Sequence, residues 1–257
     1  LTATIAACDI RIFSVESHMP DIPEARPAST VVLLRDANDG LETLLLKRNK
    51  ALLFAGGLWV FPGGALDPED LEAAGGDIVA ASRIAAAREA LEESGLAPQL
   101  DDMVLLSHWT TPVIEPKRFS TWIYAAPLAA DEEVVIDGGE IHDSRWLSVR
   151  AAVAEHEAGE LGMLPPTYVT LRALSRYDTV AQMVTAERRS PAPEVFPVFA
   201  KDAGQPIVMF RGDAGYDAGD GSLAGARHRA VLHDRHWQYI YHDVDPAFTP
   251  LLTAESR

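Results

Sequence analysis

The residues best suited to chemistry lie between Arg88 and Glu93, where Arg88, Glu89, Glu92 and Glu93 stand close together. Spacings of three, one and four put the three glutamates on one side of an α-helix. Like charges at i,i+4 weaken a helix by about 0.2–0.5 kcal/mol. A cation held between them reverses that penalty, and an all-oxygen ligand set suits Mg²⁺ or Mn²⁺. Arg88 is spaced to pair with Glu92, fixing that carboxylate and leaving the others for metal. Upstream, Phe61-Pro62-Gly63-Gly64 reads as a short strand ending in a tight glycine turn. Such a turn lets backbone approach closely and offers the Gly63 carbonyl as a further ligand. An isolated acidic helix face is ordinarily solvated surface. The combination with Arg88, the glycine turn and a terminal Gly95 is what argues for a site. Asp67 and Asp70, between turn and helix, read as caps.

Several elements must position these groups. A helix is predicted from near Ile78 to Gly95, a suitable C′ glycine, with Ile84, Ala87 and Leu91 facing a sheet and the glutamates opposite. Residues 29–47 read as a hairpin, and Trp59–Phe61 as a short strand. Further strands are predicted at 103–109, 120–126, 133–137 and 144–147, and helices at 149–160 and 166–188. After Ser190 four more strands follow, at 195–199, 207–210, 228–232 and 237–241. The mixture indicates an α/β or α+β core. Three regions emerge: an arm at 1–28 with a weakly alternating stretch (Ile10, Ile12, Val15), a catalytic domain at 29–160, and an extension at 161–257.

The 257 residues carry a formal charge of −16 and are 47% hydrophobic. That balance argues against nucleic acid or an anionic membrane as partner. An anionic substrate then needs a metal or local basic residues. The single cysteine, Cys8, fits a reducing, cytoplasmic setting. Asp9 and Arg11 interrupt the N-terminal apolar stretch, so no signal peptide is read there. The apolar run Ala51–Phe61 is too short to span a bilayer.

The motif residues resemble the Nudix hydrolase family. Its box is Gly, five residues, Glu, seven residues, then Arg-Glu-apolar-any-Glu-Glu-any-Gly-apolar. Arg88-Glu89-Ala90-Leu91-Glu92-Glu93-Ser94-Gly95-Leu96 fits the second half, and Gly64 fits the first glycine. Asp70 stands where the family has Glu, and residues 71–87 replace the seven-residue spacer, an insertion of ten. Interrupted boxes after an FPGG-LDP-D pattern resemble a coenzyme A and acyl-CoA diphosphatase-like subgroup. Leu44-Leu45-Leu46-Lys47-Arg48-Asn49, leading through Gly57 to Phe61-Pro62-Gly63-Gly64, resembles that group's coenzyme A motif, with Leu53 where an arginine is expected. Residues 164–174 resemble a segment that follows the box in the same group.

The resemblance implies an α-β-α sandwich with a mixed sheet, and metal-dependent hydrolysis of a diphosphate joined to another moiety. It makes Glu89, Glu92 and Glu93 the metal ligands, with the Gly63 carbonyl, and Arg88 the residue that orients the carboxylates. Glu140, six before Trp146, matches an acidic residue that arrives on a later loop as ligand or base; as a bare residue it also reads as an exposed turn. Arg48, Lys50, Lys117 and Arg118 are candidate phosphate donors, alongside the Gly63-Gly64 backbone. Trp59, Trp109 and Trp122 are either core residues or platforms for an adenine.

Three functions follow: a coenzyme A or acyl-CoA diphosphatase using Mg²⁺ or Mn²⁺, a pyrophosphatase for another nucleotide such as NADH or ADP-ribose, and a non-catalytic nucleotide-binding module. The three intact glutamates rank the last lowest. The extension is a candidate for covering the site, selecting an acyl group or forming a homodimer. His228, His233, His236 and His242 fit no zinc spacing. The Gly/Asp-rich loop around 213–222 lacks the order of an EF-hand. No GxSxG elbow supports serine chemistry.

Overall fold

The computed structural model describes residues 23–52, 55–129 and 132–248. Most of the 1–28 arm, including the predicted strand at Ile10–Val15, and Leu53 lie outside them. Strands β1 (Arg26–Ala37) and β2 (Gly40–Arg48) form the expected hairpin, followed by β3 (Trp59–Val60) and β4 (Gly63–Ala65). Helices α1 (Pro68–Ala73) and α2 (Ile78–Ser94) come next, then β5 (Val104–Thr110), β6 (Phe119–Pro127) and β7 (Ile141–Ser148). Helices α3 (Val149–Glu157), α4 (Pro165–Leu174) and α5 (Val180–Glu187) lead to β8 (Glu194–Val195). The chain ends in β9 (Val198–Asp202), β10 (Gln205–Met209), β11 (Arg227–His233) and β12 (His236–His242).

The main sheet runs β3-β2-β1-β6-β5-β8, with β4 added beside β1 and β7 beside β2. It is mixed: β1 runs parallel to β6 and β5 parallel to β8, and the other pairs are antiparallel. One face buries Val31, Leu33, Leu44, Leu46 and Tyr124 under α2. The other buries Val32, Leu34, Leu45, Trp59 and Trp109 against α3–α5 and the second sheet, β12-β11-β10-β9. Alternate residues of β1 thus feed opposite layers, as a two-sided strand requires. The result is the α-β-α sandwich with a further β-sheet at the C-terminal end.

Four local expectations change. The glycine turn is strand β4, in register with β1 through Thr30↔Gly63, Ser29↔Gly64 and Ala28↔Ala65. Residues 133–137 form no strand; Val134 and Ile136 still turn inward while Val135 is exposed, and the Val135 N–H donates to the Ser94 carbonyl at the end of α2. The predicted helix 166–188 is broken between α4 and α5, where the Thr179 hydroxyl caps a new start by accepting from Gln182 N–H. The sheet-facing side of α2 is not Ile84-Ala87-Leu91. Leu91 is 52% exposed, and the buried row is Ala81, Ser82, Ala85, Ala86, Ala90, Glu93 and Ser94. Small side chains bring the helix close to the strands, and the larger Leu91 has no room on that side.

The second sheet docks through a histidine. His156 on α3 is fully buried; its Nδ1–H donates to the Leu161 carbonyl (2.8 Å) and its Nε2 accepts from Trp237 N–H of β12 (2.9 Å). Both bonds require the neutral ring, and burial pushes its pKa below the ordinary 6.5. Burial does the same to His228, whose Nδ1–H donates to the Arg211 carbonyl. A depressed folded pKa contributes stability that is complete above the unfolded value and is lost as pH falls. The urea midpoint is therefore expected to drop between pH 7 and 5.5. His156→Phe leaves one buried donor and one acceptor unpaired, at about 1–3 kcal/mol each. It should be less stable at pH 7 and show a shallower fall below pH 6.5; an unchanged slope would count against this linkage.

Candidate active site

The site is built where α2 meets β4. Asp77 caps α2 by accepting from Val79 and Ala80 N–H (2.9 and 3.1 Å), and Gly95 ends it in the left-handed conformation, φ 73°. Between these caps the helix lays Glu89 and Glu93 along the glycines of β4. Glu93 Oε2 accepts the Gly63 N–H at 3.0 Å. A Cβ on Gly64 would lie 2.4 Å from Glu89 Oε1. A Cβ on Gly63 would lie 2.4 Å from the Ser29 carbonyl oxygen and 2.6 Å from Thr30 Cα. The two glycines thus do different work: Gly63 lets β4 reach β1, and Gly64 makes room for a carboxylate.

Arg88 makes the expected i,i+4 pair with Glu92 but holds two other acidic groups more closely. Its Nε and Nη2 form a fork on Asp70 (3.3 and 3.0 Å), Nη2 also donates to the Ala65 carbonyl (3.1 Å), and Nη1 reaches Glu89 Oε1 at 3.0 Å. Glu92 is more distant, at 3.4 Å, with its side chain 58% exposed. Asp70 was expected only as a cap. It does accept the Asp67 N–H at the start of α1 (2.9 Å), yet it is buried and its main partner is Arg88. Its place in the box, with five residues between it and Gly64, is the signal for that role. Burial works against the Arg88 cation, but Asp70 and Glu89 outweigh it and raise its pKa.

The opposite wall comes from the end of β2 and the loop before β7. Arg48 Nη2 donates to Glu140 Oε2 (3.0 Å), while Nη1 lies 3.9 Å from Glu93. The Asp137 carboxylate accepts the N–H groups of Gly139, Glu140 and Ile141, which hold its pKa low against the effect of burial. Asn49 fastens the same loop, its N–H donating to the Glu140 carbonyl and its Nδ2 to Gly139. Glu140 is therefore held beside Arg48 and Glu93.

The structure does not bring all the expected phosphate donors to this wall. Lys50 is exposed on the turn after β2, its stem beside Gly57. Arg118 donates to the Thr111 and Pro23 carbonyls (3.1 and 2.7 Å) and so belongs to the β5–β6 loop rather than to the carboxylates. Trp59 and Trp109 are core, and Trp122 stacks on His108 with ring centroids 4.3 Å apart.

The site is short of positive charge. Burial pushes the Glu93 carboxyl up to about 8, with Glu89 and Glu140 adding to the effect while Gly63 N–H and Arg48 oppose it. Glu89 is raised as well, chiefly by burial, against the pull of Arg88. Among the described residues no three His, Cys, Asp or Glu side chains close around a common metal position. The donors are nevertheless hard oxygens beside a backbone strand, chemistry that suits Mg²⁺ or Mn²⁺.

The ten-residue insertion is absorbed by α1, the Gly75-Gly76 turn and the first turns of α2. Those added turns reach β6. Ser82 Oγ and Tyr124 Oη lie 2.8 Å apart, and Tyr124 Oη donates to the Val79 carbonyl.

The NUDIX domain profile matches residues 25–166, more than half of the chain. Among solved structures, a NUDIX hydrolase from Alicyclobacillus acidocaldarius superposes with a TM-score of 0.61 at 24% identity, covering 66% of this chain and 100% of that one. The MutT protein from Methanosarcina mazei Go1 gives a TM-score of 0.43 at 19% identity, covering 59% and 94%. The NUDIX domain of Shewanella oneidensis NrtR, complexed with ADP ribose, gives 0.41 at 17%, covering 54% and 85%. Comparison with curated proteins gives no significant match. The chain belongs to the Nudix family. It is a hydrolase acting on diphosphate bonds, and Nudix hydrolases generally use divalent metal ions.

The two glycines predict separable outcomes. Gly63→Ala collides with backbone and should cost about 1–3 kcal/mol or more of stability, read as a lowered melting temperature. Gly64→Ala meets the movable end of Glu89. It should melt near wild type while turnover of a diphosphate substrate falls. Equal stability of the two variants would show that β4 yields more easily than its contacts indicate.

Proposed function

We propose that this Nudix hydrolase cleaves the diphosphate of coenzyme A or an acyl-CoA, releasing 3′,5′-ADP and (acyl) 4′-phosphopantetheine. The observation that carries the reading is the pair of crowded carboxylates, Glu89 and Glu93, set against β4 and faced by Arg48 and Glu140. The choice of substrate rests on the segment from Leu44 through Gly57 to Gly64, because its Arg48 is the residue that faces Glu93.

Glu89, Glu92 and Glu93, with the Gly63 carbonyl, would hold Mg²⁺ or Mn²⁺. When bound there, such a cation would supply neutralisation of diphosphate charge and a lowered pKa for a water near phosphorus. Arg88 keeps Glu89 in place through its fork on Asp70. Arg48 is placed to take a phosphate oxygen when substrate displaces its contact with Glu140. Glu140, released from that contact, accepts the proton of the attacking water.

A substrate panel with Mg²⁺ or Mn²⁺ tests the reading. Coenzyme A and acetyl-CoA are expected to turn over faster than NADH, ADP-ribose or nucleoside triphosphates, with 3′,5′-ADP as product. Coenzyme A left intact while NADH or ADP-ribose is cleaved would overturn the substrate assignment. Turnover of none of them would favour a binding module. Glu140→Gln should lower kcat by about 10²–10⁴-fold with KM little changed; a rise in KM alone would make Glu140 a binding residue.

A further inference from the structure

A second group of chemistry-bearing side chains lies on the same sheet, away from the carboxylates. His108 on β5 sits opposite Trp122 of β6 and opposite Glu194 of β8. Its Nδ1 is 2.8 and 3.0 Å from the two Glu194 carboxylate oxygens, and its Nε2 is 2.7 Å from Ser120 Oγ. A carboxylate only accepts, so the hydrogen of the neutral ring sits on Nδ1 and points at Glu194. Nε2 is then a lone pair that accepts the Ser120 O–H. Trp122 lies parallel to the imidazole at 11°, with centroids 4.3 Å apart, and fixes its plane. Hydroxyl, imidazole and carboxylate stand in the order and at the distances of an activated nucleophile, a base and the group that orients the base.

None of these residues belongs to the diphosphate site, since β1 and β6 lie between β4 and β5. Access is open: Ser120 is only partly buried and the Glu194 side chain is 59% exposed. Thr110, paired in register with Ser120, places a second hydroxyl on the same face. No loop motif marks this serine, because strand register rather than a strand-to-helix elbow brings the group together.

We propose that Ser120, His108 and Glu194 form a second hydrolytic site, with Ser120 as nucleophile toward a carboxylic ester or thioester. Ser120 Oγ bonds to the acyl carbon as its proton passes to His108 Nε2, and the Thr110 hydroxyl donates to the carbonyl oxygen. The bond from the acyl carbon to the leaving oxygen or sulfur then breaks, and that atom takes the proton from Nε2. Water repeats the sequence on the acyl-serine, releasing the carboxylic acid and restoring Ser120. No metal enters, so this activity is independent of the diphosphatase.

The test uses the full chain in EDTA, with p-nitrophenyl acetate as substrate and a fluorophosphonate as covalent probe. Wild type should hydrolyse the ester and take up one probe, mapped by peptide mass to Ser120. Ser120→Ala should abolish labelling while leaving metal-dependent diphosphate cleavage unchanged. His108→Gln and Glu194→Gln should each slow ester turnover by at least ~100-fold. Should His108→Gln fail to fold, Ser120→Ala decides alone. Absence of labelling, labelling at another residue, or ester turnover undiminished in Ser120→Ala would overturn the proposal and leave the triad as a fastening of β8 to the sheet.

Discussion

The site depends on how closely a helix can approach a strand. Two glutamates of α2 lie on the backbone of β4: Gly64 leaves room for Glu89, while Gly63 lets β4 lie against β1 and gives its N–H to Glu93. Everything else follows from that contact. The row of small residues on α2 lets the helix settle onto the sheet, the Arg88 fork on Asp70 keeps it from rotating, and Gly63 N–H receives Glu93. The arrangement buries negative charge without full compensation, which costs stability and creates affinity for a cation. A fold optimised for stability alone would place an apolar residue at 93.

Much of this was legible in the sequence because the box is local. Residues 88–96 lie within a single helix and its cap, where spacing translates directly into geometry. The mixed α and β content is likewise readable from strand and helix periods, and the family resemblance implies the α-β-α layering. Three features were not. The row Ile84-Ala87-Leu91 carries the bulkier apolar side chains and so reads as the sheet face, whereas close approach of α2 to the strands selects the row of small residues instead. Partners such as Arg88 and Asp70, or Arg48 and Glu140, are separated by chain that no period spans. Ser120, His108 and Glu194 stand on three different strands, and only the register of β5 with β6 and β8 brings them together.

The insertion shows how a motif tolerates interruption. Both halves of the box must converge at β4, but the connection between them is free to lengthen. Here it becomes helix, first α1 and then the leading turns of α2. Tyr124 receives the added turns and anchors them to β6, so the extra length stiffens the catalytic helix instead of forming a slack loop.

The seam between the sequence domain and the rest of the chain is not a seam in the packing. The family profile stops at residue 166, yet Phe210, Trp237 and Tyr239 complete the core on the far face of the main sheet. On the ribosome this imposes an order of events. The strands with the catalytic apparatus emerge first, with one apolar face bare, and the residues that cover it follow on the order of several seconds later, at about 5–20 residues per second. During that interval the nascent chain is sticky on one side, and its partner for that surface is still being translated.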